Sequence, residues 1–145
     1  MSGIRIGIGF GGFRLGLPDA DAICAYAERA EDLGIDSIWL SDRVTTSQPH
    51  LDIACVMAAF AARTKRIKMG PAVLTLPAHD PIHVARTYAT LDYLSGGRGR
   101  VIMAVGLGND PRDCAAVGVP ASERGARMEE GVAVLRKLWS GPRVS

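Results

Sequence analysis

The chain has 145 residues, 48% of them hydrophobic, which is enough for one domain with a buried core. Its 17 basic and 15 acidic residues are interspersed and leave a net charge of +2, so no face offers itself to a polyanion and nucleic acid is not an expected partner. No apolar run reaches the roughly 18 residues of a membrane span, and Met1 to Phe10 lacks the basic start of a signal peptide; no membrane is expected, and the expected location is the cytoplasm.

Ile4, Ile6, Ile8 and Phe10 alternate with Arg and Gly, the period of a first strand. Gly7, Gly9 and Gly12 fit the G-x-G-x-x-G pattern of a dinucleotide site, but that pattern needs its last glycine to open a helix at once, and here Phe13 to Pro18 intervene. No acidic residue stands where a ribose would need one, so NAD binding is carried only as an alternative. Asp19 or Asp21 then caps a helix with an apolar stripe of Ile23, Ala27, Ala30 and Leu33, and Gly34 stops it.

Ser37 to Leu40 forms a short second strand followed by the polar triplet Ser41-Asp42-Arg43. Leu51 to Arg63 is a second helix striped by Ile53, Val56, Met57 and Phe60, with Met57 as core filler. Ile67 to Val73 and Arg100 to Val105 are near-continuous apolar runs, as strands covered on both faces require. Between them, Pro81 to Leu94 supplies the helical crossover of a βαβ unit, with Pro where its missing N–H costs nothing. Glu123 to Trp139 is the last helix, striped by Met128, Val132, Leu135 and Trp139 and ended by Gly141-Pro142.

Sites in α/β proteins collect at the carboxyl ends of strands. That rule singles out Ser41-Asp42-Arg43, Ala72 to Thr75 and Gly106 to Asp110. His79 and His50 lie in loops at the same end, whereas His83 falls inside the crossover helix as a surface or packing residue. Cys24, Cys55 and Cys114 are odd in number and far apart, which points to buried free thiols and to no metal site. The order of four strands, each followed by a helix, suits part of an eight-fold barrel and equally an open doubly wound sheet; the pattern does not separate them.

Four blocks in order carry a family resemblance: Ala-Glu-Arg-Ala-Glu-Asp-Leu-Gly-Ile-Asp-Ser-Ile-Trp-Leu-Ser-Asp-Arg, Gly-Pro-Ala-Val-Leu-Thr-Leu-Pro, Ala-Thr-Leu-Asp-Tyr-Leu-Ser-Gly-Gly-Arg and Val-Gly-Leu-Gly-Asn. Together they resemble the bacterial luciferase-like monooxygenase superfamily. The resemblance implies an α/β fold, a TIM (β/α)8 barrel in which residues 1–145 hold the first four β/α units. It also implies hydride or oxygen transfer to a small-molecule substrate by the deazaflavin coenzyme F420, or alternatively by FMN.

By the same resemblance, a bulge with a cis peptide supports the back of the coenzyme ring at Ala72-Val73, and Leu74 and Thr75 stand at the ring's edge. Asp42 matches an acidic position turned toward the coenzyme, and Gly106 and Gly108 let backbone approach a flat ring. Two departures stand out. Arg43 occupies a place where deazaflavin-using relatives often carry His, and Asn109 one where they often carry an acid. Asn can donate a hydrogen bond but cannot deliver a proton as a carboxylic acid does, so the general acid is unassigned.

A complete barrel takes about 250 residues. Four parallel strands leave two edges of unpaired backbone, which favours association with a second copy or with the remainder of a longer chain. The alternative to a working oxidoreductase is a truncated, non-catalytic half-barrel that self-associates.

Overall fold

The computed structural model describes residues 3–140. Strands β1 (Gly7–Phe10), β2 (Ser37–Leu40) and β3 (Lys68–Pro71) form a parallel sheet in that order, with Gly9, Trp39 and Gly70 in register. A second parallel pair, β4 (Leu74–Thr75) with β5 (Val105–Gly106), continues it through a bridge between Met69 and Val101. Ile38, Leu40 and Met69 turn to one face and are buried beneath the helices with Met57 and Phe60. Trp39 turns to the opposite face, where glycines make room for it: a Cβ at Gly7 would lie 2.7 Å from its indole nitrogen.

Two strands differ from their sequence reading. The run from Ile67 to Val73 is not continuous; it breaks at a cis peptide between Ala72 and Val73 and resumes at Leu74. Pro71 has no N–H to extend the ladder there. The Ile4 to Phe10 strand is shorter than its alternation suggests, pairing only from Gly7, and Ile4 and Ile6 are 95% and 55% exposed.

The first helix starts at its predicted cap, while the second and third start at Asp52 and Asp80, which the sequence reading does not single out. Asp19 accepts the Ala22 N–H at 2.7 Å and starts α1 (Ala20–Asp32), and Gly34 at φ +76° ends it. Asp52 caps α2 (Ile53–Arg63), which buries Ile53, Val56, Met57 and Phe60, and Asp80 caps α3 (Pro81–Leu94), accepting from Ile82 and His83 at 2.9 Å each. A six-residue helix α4 (Pro111–Ala116), capped by Asp110, was not expected. Helix α5 runs Arg124–Ser140; the Gly141-Pro142 stop lies outside the described residues.

Two apolar positions are more open than the stripes imply, and one cysteine is more open than the expected buried thiol. Leu33 is 63% exposed because it is the cap residue of α1, and Trp139 is 44% exposed while its indole N–H donates to the Ala85 carbonyl at 3.2 Å. Cys55 is exposed, since the α2 stripe through residues 53, 56, 57 and 60 puts it on the opposite side; Cys24 is half-buried and Cys114 is buried. All three thiols are free. Among the described residues β1 and β5 each pair along one side only, and no helix is long and apolar enough to cross a membrane.

Candidate functional site at the strand ends

The carboxyl ends of β2, β3 and β5 converge. Asp42, two residues past β2, is 9% exposed at its side chain, and its Oδ2 accepts the Thr75 N–H at 3.0 Å and contacts His79 Nε2 at 3.1 Å. Burial alone would raise the Asp42 carboxyl; the bonds from His79 and Thr75, with the nearby His50, outweigh it and hold the group below its ordinary range. Asp42 therefore stands as a carboxylate that ties the β2 exit to the β4 backbone.

Ala72 and Val73, on either side of the cis bond, are open to solvent, Val73 by 41%. Leu74 and Thr75 are not: both are 3% exposed, with Thr75 offering its backbone N–H to Asp42. The glycines at and just after the end of β5 serve this arrangement. A Cβ at Gly106 would lie 2.7 Å from Val73 Cγ2, and one at Gly108, at φ +77°, 2.6 Å from Thr75 Cγ2. Their missing side chains thus admit Val73 and Thr75 to the space beside β5. Arg124 at the start of α5 holds the loop, donating to the carbonyls of Leu107 at 2.7 Å and of Gly108. Asn109 is exposed at the rim.

Arg43 is a brace. Its guanidinium lies 3.2 Å from Asp110 and 3.7 Å from Asp113, and Asp113, 1% exposed, accepts both the N–H and the hydroxyl of Thr45 at 2.8 Å. Asp110 also pairs with Arg112 at 2.7 Å, and the two arginines hold its carboxyl well below the usual carboxylate range, Arg112 contributing most. The loop after β2 is thereby pinned to α4, across the end of β3. No signal in the sequence announced this, because Thr45 and Asp113 are 68 residues apart and α4 is short.

An open cleft of about 580 Å³ lies along this end, bordered by Asp42, Arg43, Thr45, His50 and His79. The Nε2 of His50 is buried without a hydrogen-bond partner among the described residues. A smaller cavity of about 270 Å³ lies between Asp42, Leu74 and Tyr88, and the Tyr88 hydroxyl is likewise unpartnered. Burial raises that hydroxyl's pKa, with Asp42 and Asp52 adding to it. His83 is exposed on α3, as expected. Among the described residues no three His, Cys, Asp or Glu side chains are grouped to hold a metal ion.

The donor set suits a polar-edged planar molecule. The cleft carries a carboxylate and two imidazoles, and Ala72-Val73 and the amide of Asn109 are open to solvent at the same strand ends.

The sequence matches the luciferase-like monooxygenase model over residues 3–145. The chain belongs to that family. It is 38% identical over 128 residues to an F420-dependent glucose-6-phosphate dehydrogenase of Amycolatopsis mediterranei (strain U-32), a match covering 83% of this chain and 38% of that protein. It is 33% identical to the 4-hydroxyprotoasukamycin monooxygenase of Streptomyces nodosus subsp. asukaensis, over 79% of this chain and 31% of the relative. Among solved structures it resembles the oxygenating constituent of 3,6-diketocamphane monooxygenase from the CAM plasmid of Pseudomonas putida in complex with FMN. That likeness has a TM-score of 0.83 at 22% identity, over 94% of this chain and 40% of that one, and speaks to the fold. The chain thus spans less than half the length of the two relatives it matches in sequence.

Proposed function

We propose that this chain forms the first four β/α units of a (β/α)8 barrel and carries the ring-binding end of an oxidoreductase that uses F420, with FMN as the alternative coenzyme. The observation that carries the reading is the convergence of Asp42, the open Ala72-Val73 surface and the Gly106-Leu107-Gly108 loop at one end of the sheet. The dehydrogenase relative named as F420-dependent supports F420 over FMN. When bound, the coenzyme supplies the hydride or oxygen chemistry.

The chain's own residues do the rest. Ala72 and Val73 offer a backing surface, and Asn109 can donate to a ring carbonyl. Leu74 and Thr75 act from behind, by fixing Asp42 and the β4 backbone. Arg43 and Asp113 hold the cleft wall in place. The substrate is a small organic molecule that enters at the same end.

The single-sided pairing of β1 and β5 favours completion of the barrel by further strands, from a longer chain or from a second copy of this one. That same observation favours the second reading, a self-associating half-barrel without activity.

Titration of the purified chain with F420 and with FMN, followed by fluorescence and absorbance, separates the two. Saturable binding at micromolar levels supports the coenzyme reading. Binding of neither, by a chain that light scattering shows to be self-associated, refutes it in favour of the second.

A further inference from the structure

We propose that His79 is the proton acceptor of this site, its ring fixed by Asp42 through Nε2 so that Nδ1 presents a free lone pair to a hydroxyl-bearing substrate. The inference rests on the coenzyme reading above and deepens it. Arg43, where an imidazole was the family expectation, cannot fill the role: it is engaged with Asp110 and Asp113, and a guanidinium does not give up its proton.

The tautomer follows from the partner. A carboxylate only accepts, so the His79 nitrogen 3.1 Å from Asp42 Oδ2 must be the one that carries hydrogen, and Nδ1 of the neutral ring is left with its lone pair. Asp42 is itself held, since the same oxygen takes the Thr75 N–H at 3.0 Å. The backbone of His79 is set as well: its N–H donates to the Leu76 carbonyl at 3.0 Å, and Pro77 and Pro81 bracket the turn. The ring is 32% exposed and borders the cleft of about 580 Å³, and Nδ1 has no partner among the described residues.

The other candidates are occupied, unsuited or, in the case of the unpartnered His50 Nε2, buried rather than open to the cleft. Asp80 caps α3, Asp110 is paired with two arginines, and the Asn109 amide cannot take a proton. A coenzyme held at this end would take the carbinol hydride of an alcohol substrate. His79 would take the hydroxyl proton at Nδ1 as the carbon–oxygen double bond forms, and would leave the step as imidazolium.

The test is nitrogen-15 NMR on the histidine-labelled chain. His79 is expected in the Nε2–H tautomer, and Asp42→Asn, whose amide can donate to Nε2, is expected to shift the tautomer ratio toward Nδ1–H by roughly tenfold. Adding F420, or FMN in its place, is expected to move the His79 Nδ1 resonance and to leave His83 unchanged. An Nδ1–H tautomer in the unsubstituted chain overturns the inference, and that measurement needs neither coenzyme nor variant. Coenzyme binding with an unmoved His79 also overturns it while leaving the coenzyme reading intact; absence of any coenzyme binding overturns both.

Discussion

Replacing Asp113 tests whether the brace between the β2 exit loop and α4 contributes to stability or merely accompanies the fold. Asp113 Oδ1 takes two hydrogen bonds from Thr45, each of 2.8 Å, at a position 1% exposed to solvent, while Oδ2 faces Arg43 at 3.7 Å. In Asp113→Ala the Thr45 N–H loses its acceptor in a place water reaches poorly. An unmet buried donor costs about 1–3 kcal/mol, and the lost charged acceptor adds a further contribution, so a total of about 2–4 kcal/mol is expected. Asp113→Asn is the control. It keeps an oxygen where Oδ1 stands, hence both bonds to Thr45, and loses only the attraction to a partly exposed Arg43, which is worth about 1 kcal/mol or less.

Urea unfolding followed by circular dichroism reads both values, with unchanged slopes showing that the comparison is of like with like. The decisive quantity is the gap between the variants. If alanine and asparagine destabilise equally, the hydrogen bonds to Thr45 are not what the carboxylate provides. If alanine costs less than about 0.5 kcal/mol, the loop is not held by α4 at all.

Three other outcomes are expected. Gly70→Ala places a Cβ 2.1 Å from the Ile102 carbonyl oxygen, so β3 must part from its neighbour where Met69 bonds Arg100 and Ile102 at 2.8 Å. Overpacking and weakened pairing together should cost about 2–5 kcal/mol in a melt, and a loss below about 1 kcal/mol would contradict the spacing. Tyr88→Phe removes a buried hydroxyl that has no partner among the described residues, so it should be neutral or stabilising by up to about 1 kcal/mol in urea unfolding; a clear loss would mean that the hydroxyl is satisfied. Asp42, with its folded pKa depressed, adds stability that is present above the ordinary aspartate range and lost as pH falls through its folded value. The acid limb of the stability profile should therefore flatten in Asp42→Asn, and an unchanged limb would refute the assignment.

The parts of this molecule that sequence could reveal are those built from local spacing. Asp19 announces its helix because a short carboxylate before an apolar stripe satisfies N–H groups that nothing else can reach, and Asp52 and Asp80, not singled out by the sequence reading, cap in the same way. The βαβ order follows from crossover length, and the cis bond at Ala72-Val73 came from the family resemblance, not from any local pattern. What stayed hidden depends on distant pairing. An eye for apolar runs carries the third strand through Val73, yet Pro71 cannot donate and the ladder breaks there. Helix α4 has too few residues for a period to show, so nothing local marks out the acid that receives Thr45.

Arg43 shows why a site cannot be read position by position. Taken alone, an arginine in place of an imidazole reads as the loss of a catalytic group. In the folded chain Arg43 faces Asp110 and Asp113 and helps anchor the cleft wall, while an imidazole from the next exit loop, His79, stands against Asp42. Asp42 itself, taken as a residue turned to the coenzyme, first holds β4 in place through the Thr75 N–H. Each exit segment is braced by a different one: the loop after β2 by β4 and α4, the loop after β5 by Arg124 of α5. Cross-bracing of this kind fixes where the loops lie, because strand ends set the loops' positions and not the residues they present.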